Sequence, residues 1–117
     1  MSRSKYHAIP TVVDGILFAS KAEARRYVEL RALVSAGQIV GPIRCQPRYA
    51  LIVNGYHVCD YVGDFEYVLP SGEVILEDVK GMRTPIYRLK RRLLKATGGL
   101  EVTEVGQNAT RLKMKKI

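Results

Sequence analysis

The dipeptide Asn54-Gly55 lies between two runs of β-forming residues and constrains the fold more than any other short segment. Both residue types tolerate the positive φ angles of a type I′ turn, so the dipeptide predicts an antiparallel hairpin. Its two strands are predicted over Arg48 to Val53 and Tyr56 to Val68. Asp14-Gly15 predicts a second, shorter hairpin over Thr11 to Phe18. The first half of the chain therefore contains at least two reversals of β structure.

Helical patterns lie on both sides of this β-rich centre. Ser20 and Glu23 have the spacing of a capping box, and apolar residues then recur near the helical period, which predicts a helix over 21–36. Thr84-Pro85 is typical of a helix start, with Thr as the N-cap and Pro at the first helical position. A second helix is therefore predicted from residue 85 to about residue 96.

The remaining elements complete one α/β domain over residues 1–117. Further strands are predicted over Glu73 to Lys80 and Leu100 to Val105, because β-forming residues dominate both segments. Residues 1–10 are expected to form an N-terminal arm, and residues 106–117 a basic strand or tail. The order α-β-β-β-α-β predicts a central mixed sheet flanked by helices.

Composition narrows the class of partner. The chain has 19 Lys and Arg against 11 Asp and Glu, a formal net charge of +8, and 47% hydrophobic residues. The apolar content excludes a disordered tail, and the basic charge favours a polyanion, with nucleic acid ahead of a membrane surface. A basic surface kept for solubility is the alternative. No apolar run is long enough to span a bilayer and no signal core follows the N-terminus, so a cytoplasmic location is expected.

Two carboxylates are expected to converge in the predicted sheet. Leu76, Asp78 and Lys80 share one face of their strand, and counting back through the turn before it brings Asp64 near Asp78. Two like charges at one place in a basic protein call for a cation between them. Oxygen ligands suit Mg²⁺, with Mn²⁺ as a substitute, held by both carboxylates and the backbone carbonyl of Val79. Lys80 would orient a water or stabilise charge on a phosphate.

Other acidic and metal-binding residues are weighed against this site. Glu66 lies nearer the turn and Glu77 points to the opposite face, so neither is expected to be a primary ligand. A plain ion pair between Asp78 and Lys80 is the structural alternative for those two residues. The two histidines and two cysteines lack a zinc-binding spacing, so no zinc site is expected.

The segment from residue 80 to residue 95 contains seven cations and no acid. Because it begins directly after the proposed metal site, we expect it to contact a phosphate backbone, although a solvated basic helix face is the alternative. Two further arginines lie beside Glu23. The residues expected to bind DNA are Arg25, Arg26, Arg83, Thr84, Tyr87, Arg88, Lys90, Arg91 and Lys95.

Asp64 followed by Asp78-Val79-Lys80, with Ser20 to Tyr27 upstream, resembles the motifs of the PD-(D/E)XK nuclease superfamily. A closer resemblance lies in the longer segments Phe18 to Tyr27, Gly63-Asp64-Phe65, and Glu77-Asp78-Val79-Lys80-Gly81 with Thr84 and Tyr87. The closest resemblance, over roughly residues 5–95, is to small phage-encoded endonucleases that are similar to Holliday junction resolvases. One departure is Gly63, because the superfamily has Pro at that position.

The resemblance implies a restriction-endonuclease-like fold and a set of catalytic residues. Glu23, Asp64 and Asp78 would be metal ligands and Lys80 the catalytic lysine, although Glu23 also has the structural alternative of a capping-box residue alone. The implied activity is Mg²⁺-dependent hydrolysis of phosphodiester bonds that leaves a 5′-phosphate and a 3′-hydroxyl, by a phage protein acting in the cytoplasm of its host.

The implied substrate is a Holliday junction or another branched DNA. Cutting two strands requires two sites, so a homodimer is expected. The hairpin around Asn54-Gly55 offers material for the interface, with Tyr49, Leu51, Val53, Tyr56, Val58 and Tyr61. The alternatives are a nicking, flap or restriction-type endonuclease, and a non-catalytic basic module that binds DNA.

Overall fold

A five-stranded mixed sheet lies between two layers, each made of one helix and one two-stranded hairpin. A computed structural model describes residues 8–80, 83–106 and 115–116. Within these ranges the elements are β1 (Thr11–Val13), β2 (Ile16–Phe18), α1 (Lys21–Ser35), β3 (Val40–Cys45), β4 (Arg48–Val53), β5 (Tyr56–Val62), β6 (Phe65–Val68), β7 (Val74–Lys80), α2 (Pro85–Gly98), β8 (Val102–Gly106) and β9 (Lys115–Lys116).

The strand order of the central sheet is β3-β6-β7-β8-β9. β3, β6 and β7 pair antiparallel, whereas β7 and β8 run parallel and are connected through α2. β1 pairs with β2, and β4 pairs with β5, in separate two-stranded sheets. The described part of the chain is thus one α/β domain with a mixed sheet and two helices, as the sequence predicts.

The alternation of side chains along β7 divides the interior into two cores. Ile75 faces α1 and the β1–β2 hairpin, together with Phe65 and Tyr67 of β6. Leu76, the next residue, faces α2 and the β4–β5 hairpin, where it meets Leu51. Successive residues of a strand point to opposite faces, so Glu77 belongs to the first side and Asp78 to the second.

Both predicted helices begin where their capping residues place them. The Ser20 hydroxyl accepts a hydrogen bond from the backbone N–H of Glu23 at 3.1 Å. The Thr84 hydroxyl likewise accepts from the N–H of Tyr87 at 3.1 Å. Gly99, with a φ of 70°, ends α2 in the left-handed conformation. The second helix therefore extends to Gly98, slightly beyond its predicted end.

The prediction of one strand over residues 56–68 is wrong. The chain leaves β5 at Val62 and enters β6 at Phe65, and the two strands belong to different sheets. Between them, Gly63 donates its N–H to the carbonyl of Pro47 at 2.9 Å, and Asp64 donates to that of Glu77 at 3.0 Å. These two bonds redirect the backbone from the hairpin to the central sheet.

β3 was not predicted from the sequence, because Pro42 lies within it. Proline lacks the N–H that an inner strand needs, and it is therefore tolerated mainly in edge strands and at irregularities. β3 begins the strand order of the sheet, and its pairing with β6 shifts register between Val40 and Arg44. The last predicted strand is also displaced and runs over Val102–Gly106.

Most residues of the two predicted terminal segments lie outside the described part of the structure. Residues 1–7 of the arm lie outside the described residues, and residues 8–10 have no regular secondary structure. Of the predicted basic tail, Gly106 ends β8 and Lys115–Lys116 pairs antiparallel with β8, while 107–114 and 117 lie outside. No helix in the described ranges has the length and apolar character needed to cross a membrane.

We expect G63A to destabilise the fold by about 1–3 kcal/mol, because a Cβ at Gly63 would lie 2.6 Å from Cδ1 of Leu76. G63P should cost more, since proline also removes the N–H that bonds Pro47. Urea unfolding measures both effects. G98A is the matched control, because a Cβ there meets nothing within 4 Å; an equal loss of stability in G98A would contradict this account.

Candidate active site

Asp64 lies in the break between β5 and β6 and is attached to β7 on both sides of Asp78. Its backbone N–H donates to the carbonyl of Glu77 at 3.0 Å. Its carboxylate accepts a hydrogen bond from the N–H of Val79 at 2.6 Å. The side chains of Asp64 and Asp78 are close enough to hydrogen-bond each other. The structure thus brings together the two carboxyls that the sequence predicts to converge.

The electrostatics of Asp64 show that its site is crowded with negative charge. Burial, the charges of Asp78 and Glu23, and the hydrogen bond to Asp78 raise the pKa of Asp64 to about 9, against the opposing effect of the Val79 N–H. Asp78 is itself buried, at 4% exposure. The charge of Glu23, in the first turn of α1, acts on Asp64, so this turn lies on the side of the site that Asp64 faces. Of the three predicted acidic ligands, Asp64 and Asp78 are adjacent, and Glu23 interacts with Asp64 through its charge.

The donor chemistry of this cluster fits a hard divalent cation. No group of three or more His, Cys, Asp or Glu in the described ranges is already arranged to hold a metal ion. Half-buried Asp64 and buried Asp78 nevertheless supply adjacent oxygen donors whose mutual repulsion a cation would relieve. Replacement of the Asp64 proton by a divalent cation is the expected form of such binding.

Tyr61 of β5 contacts the site from the hairpin layer. Its hydroxyl donates a hydrogen bond to Asp78, and the side chain is 2% exposed. Burial and the charge of Asp78 raise the pKa of Tyr61, so the phenol remains a donor at physiological pH. Sequence reasoning assigned Tyr61 to a dimer interface. The break at Gly63 instead turns this end of β5 towards Asp78.

Glu77 points away from the cluster and forms a buried ion pair with Arg26 of α1. Arg26 Nε and Nη2 lie 2.8 Å and 2.5 Å from the two carboxylate oxygens, and Tyr67 also donates to Glu77. The exclusion of Glu77 as a ligand therefore agrees with its position. The prediction that Arg26 contacts DNA is wrong, because its side chain is 2% exposed and held within the core.

Glu104 of β8 is a buried acid that sequence reasoning missed. Its Cα is the register partner of Asp78 on the adjacent parallel strand, and it is 5% exposed. It accepts hydrogen bonds from Arg83, Tyr87 and Arg91 at 2.7, 2.6 and 3.1 Å. The prediction that Tyr87 contacts DNA is therefore wrong, since its buried hydroxyl is bonded to Glu104. A glutamate among apolar residues of a short predicted strand was the available signal.

The other predicted DNA-binding residues lie mostly at the surface. Thr84 is exposed, but its hydroxyl caps α2. Lys95 bonds Glu101 at 3.1 Å. Exposed or half-buried side chains are those of Arg25, Arg83, Arg88, Lys90, Arg91 and Lys95. The side chain of Lys80 lies outside the described part of the structure, so its predicted catalytic role stays a prediction.

Glu66 is separated from the cluster, as the sequence predicts. Its register partner on β7 is Leu76, one same-face position before Asp78. Its carboxylate is already bonded to Arg44 at 2.9 Å and to the Tyr49 hydroxyl. It therefore offers a matched acidic control for variants of the candidate site.

Comparison with known proteins identifies the family of the chain. Residues 3–114 match the family model described as protein of unknown function (DUF1064), and the chain belongs to this family. No curated protein and no solved structure matches the chain. Because the family description assigns no activity, the function is inferred from the site.

We expect D64N to stabilise the metal-free protein increasingly as pH rises from about 5 to about 9. The folded protein raises the pKa of Asp64 to about 9, so the stability present when this carboxyl is protonated is lost as pH rises through that value. Asparagine does not titrate and escapes the loss. Melting temperatures in EDTA across this range measure the effect, with D14N, at an exposed turn carboxyl, as control. Parallel pH profiles of D64N and wild type would contradict it.

We expect R26M to destabilise the protein by about 3–5 kcal/mol, because Glu77 would remain buried without its cation. The double variant R26M/E77M should recover most of that loss, since two apolar side chains remove the uncompensated charge. R31M is the control, because Arg31 pairs with Asp14 at the surface and should change stability by less than about 1 kcal/mol. Urea unfolding distinguishes the three, and equal losses in R26M and R31M would refute the assignment.

Proposed function

We propose that this protein is a Mg²⁺-dependent DNA endonuclease of the PD-(D/E)XK type that cleaves Holliday junctions or other branched DNA. The observation that carries the proposal is the meeting of half-buried Asp64 with buried Asp78, close enough to Glu23 for its charge to act on Asp64, in a chain of net charge +8. Each aspartate accepts a hydrogen bond, Asp64 from the Val79 N–H and Asp78 from the Tyr61 hydroxyl. Their adjacency nevertheless helps to raise the pKa of Asp64 to about 9, and a carboxyl perturbed in this way by burial and a neighbouring carboxyl is typical of a functional site.

The order of elements supports the proposed fold. α1, the β6–β7 pair, α2 and β8 follow one another as the sequence predicts, whereas β3 is an additional strand and the predicted β4–β5 hairpin forms a separate sheet. The carboxylates lie where β7 and β8 end on the same edge, and α1 begins there. Helix and sheet thus supply residues to one place from three distant parts of the sequence.

The residues divide the chemistry among them. Glu23, Asp64, Asp78 and the backbone carbonyl of Val79 would hold Mg²⁺, or Mn²⁺ in its place. When bound, such an ion lowers the pKa of a water ligand and polarises a phosphodiester. Tyr61 orients the Asp78 carboxylate through its hydrogen bond. Lys80, two residues after Asp78 in the sequence, would stabilise charge on the phosphate, as the superfamily resemblance implies.

The contacts of Gly63 explain why this chain has glycine where the superfamily motif has proline. A proline at this position could not donate the hydrogen bond that Gly63 makes to Pro47. The space beside Gly63 is also filled by Leu76. The position therefore suits glycine in this chain without affecting the Asp64 carboxylate.

A second copy of the chain is part of the proposal. Of the hairpin residues expected at an interface, Leu51 and Tyr61 are buried in the second core, so the expectation is wrong for these two, and half-buried Tyr49 packs against the same core. The hairpin instead exposes Val53, Tyr56 and Val58, together with Ile52 and Val62. Arg48 and His57 both bond Asp60. These exposed apolar side chains suit self-association of an otherwise basic molecule.

The decisive experiment compares cleavage of a four-way junction with cleavage of flap, nicked, duplex and single-stranded DNA of matched sequence. With Mg²⁺, D64N and D78N should each lose at least about 10²-fold in cleavage rate while retaining DNA affinity, because the metal site is removed and negative charge decreases. E66Q, at the separate acid, should cleave like wild type. Paired nicks on opposing junction strands within one binding event would support the dimer.

Three outcomes would contradict the proposal. Undiminished cleavage in excess EDTA would exclude the metal, and normal cleavage by both D64N and D78N would exclude the site. Wild-type protein that binds DNA but cuts none of the substrates with Mg²⁺ or Mn²⁺ would favour the alternative, a non-catalytic DNA-binding module.

A further inference from the structure

Glu104 gathers two arginines beside the candidate active site. Arg83 approaches one carboxylate oxygen with Nε at 2.7 Å and Nη2 at 2.5 Å. Arg91 Nη1 lies 3.1 Å from the other oxygen, which also accepts the Tyr87 hydroxyl at 2.6 Å. Because Glu104 and Asp78 are register partners on adjacent parallel strands, their side chains leave the same face of the sheet. The arginines are therefore fixed next to the candidate metal site.

The charges of this group do not cancel. One carboxylate serves two guanidinium groups, so a positive charge remains uncompensated among the three side chains. Glu104 is almost fully buried, whereas the side chains of Arg83 and Arg91 are 46% and 21% exposed. The group thus presents fixed positive charge to solvent from a buried anchor. A purely structural ion pair would need only one of the two arginines.

Packing restricts the motion of Arg91 as well. Its guanidinium carbon lies 5.6 Å from the centroid of the Tyr87 ring, and that ring lies 6.3 Å from the ring of Tyr61. Tyr61 in turn bonds Asp78. A continuous set of contacts therefore connects the arginines to the candidate site, and it limits the side-chain entropy that Arg91 would lose on binding a ligand.

We infer that Glu104 is a positioning residue that holds Arg83 and Arg91 as a clamp for a DNA phosphate next to the one that is cleaved. The inference rests on the proposed nuclease function for its substrate. Guanidinium groups match the geometry of phosphate oxygens with paired hydrogen bonds, which lysine cannot reproduce. Arginines that Glu104 holds in place before DNA binds would position the scissile phosphate for cleavage, in addition to attracting the DNA by their charge.

The variant E104Q distinguishes positioning of the arginines from simple electrostatic attraction, because the two hypotheses predict different effects on DNA affinity and on kcat. Removal of a negative charge from a basic surface should tighten DNA binding if the arginines act only through their charge. If Glu104 fixes their position, E104Q should instead lower kcat at saturating junction DNA, on the order of 10-fold or more, because the substrate is held less accurately.

The experiment measures junction binding in EDTA as a function of salt, and cleavage with Mg²⁺, for R83A, R91A, E104Q, R83K and R31A. Loss of one phosphate contact should lower the slope of log K against log salt by about one unit in R83A and in R91A. R83K should restore the slope but not kcat, because lysine keeps the charge and loses the paired geometry. R31A is the control, because Arg31 of α1 pairs with Asp14 at the surface, and its salt slope and kcat should match those of wild type.

Defined results would overturn the clamp and separate its failure from that of the nuclease. Wild-type slopes and kcat in R83A and R91A, with an active wild-type enzyme, would refute the clamp and leave the nuclease in place. Tighter binding with unchanged kcat in E104Q would refute positioning. If the wild-type protein does not cleave DNA, the proposed nuclease function is refuted. The salt dependence of DNA binding in R83A and R91A then tests whether the arginines bind phosphate. Should E104Q melt below the assay temperature, R83A decides, since Arg83 is nearly half exposed.

Discussion

The buried pair of Arg26 and Glu77 determines how the first helix is attached to the sheet. Arg26 belongs to α1 and Glu77 to β7, and two hydrogen bonds join them within the first core. Glu23 precedes Arg26 by one helical turn, and Asp78 directly follows Glu77. The same attachment therefore fixes the distance of an acid on the helix from an acid on the strand. The pair contributes to the geometry of the site even though neither partner faces it.

Side chains alternate along β7, so its two acidic residues lie on opposite faces of the sheet and have different partners. Glu77 turns to one face, where an arginine and a tyrosine hydroxyl satisfy it. Asp78 turns to the other face, where it meets Asp64. On β8, Glu104 is satisfied in the manner of Glu77, by cations and a tyrosine. The aspartate pair differs from Glu77 and Glu104, because each aspartate has another carboxyl as its neighbour.

The elements that were predicted correctly are those whose signals are local. Capping residues place both helix starts, and Asn54-Gly55, whose φ angles of 50° and 81° are both positive, places the hairpin turn. The approach of Asp64 to Asp78 follows from parity and a count through one turn. Mg²⁺, DNA and cleavage are not local properties of these elements, and they stay predictions.

The errors share a cause, because each depends on contacts between segments distant in sequence. Gly63 carries no obvious turn signal, and its bond to Pro47 redirects the chain. Arg26 is expected to contact DNA because it lies beside Glu23, and Tyr87 because it belongs to the basic segment, yet partners on β7 and β8 hold both side chains inside the protein. Glu104 escaped notice because its cations lie 13 and 21 positions before it.

Asp64 has a structural function that is independent of metal or DNA. At the point where β6 diverges from β7, its carboxylate takes the place of a backbone carbonyl and accepts the N–H of Val79. Without an acceptor there, that partly buried N–H would lose its partner at a cost of about 1–3 kcal/mol. A related chain that kept this fold without any metal site would still need an oxygen at position 64. Asparagine, and not an apolar residue, is the replacement that such a chain would retain.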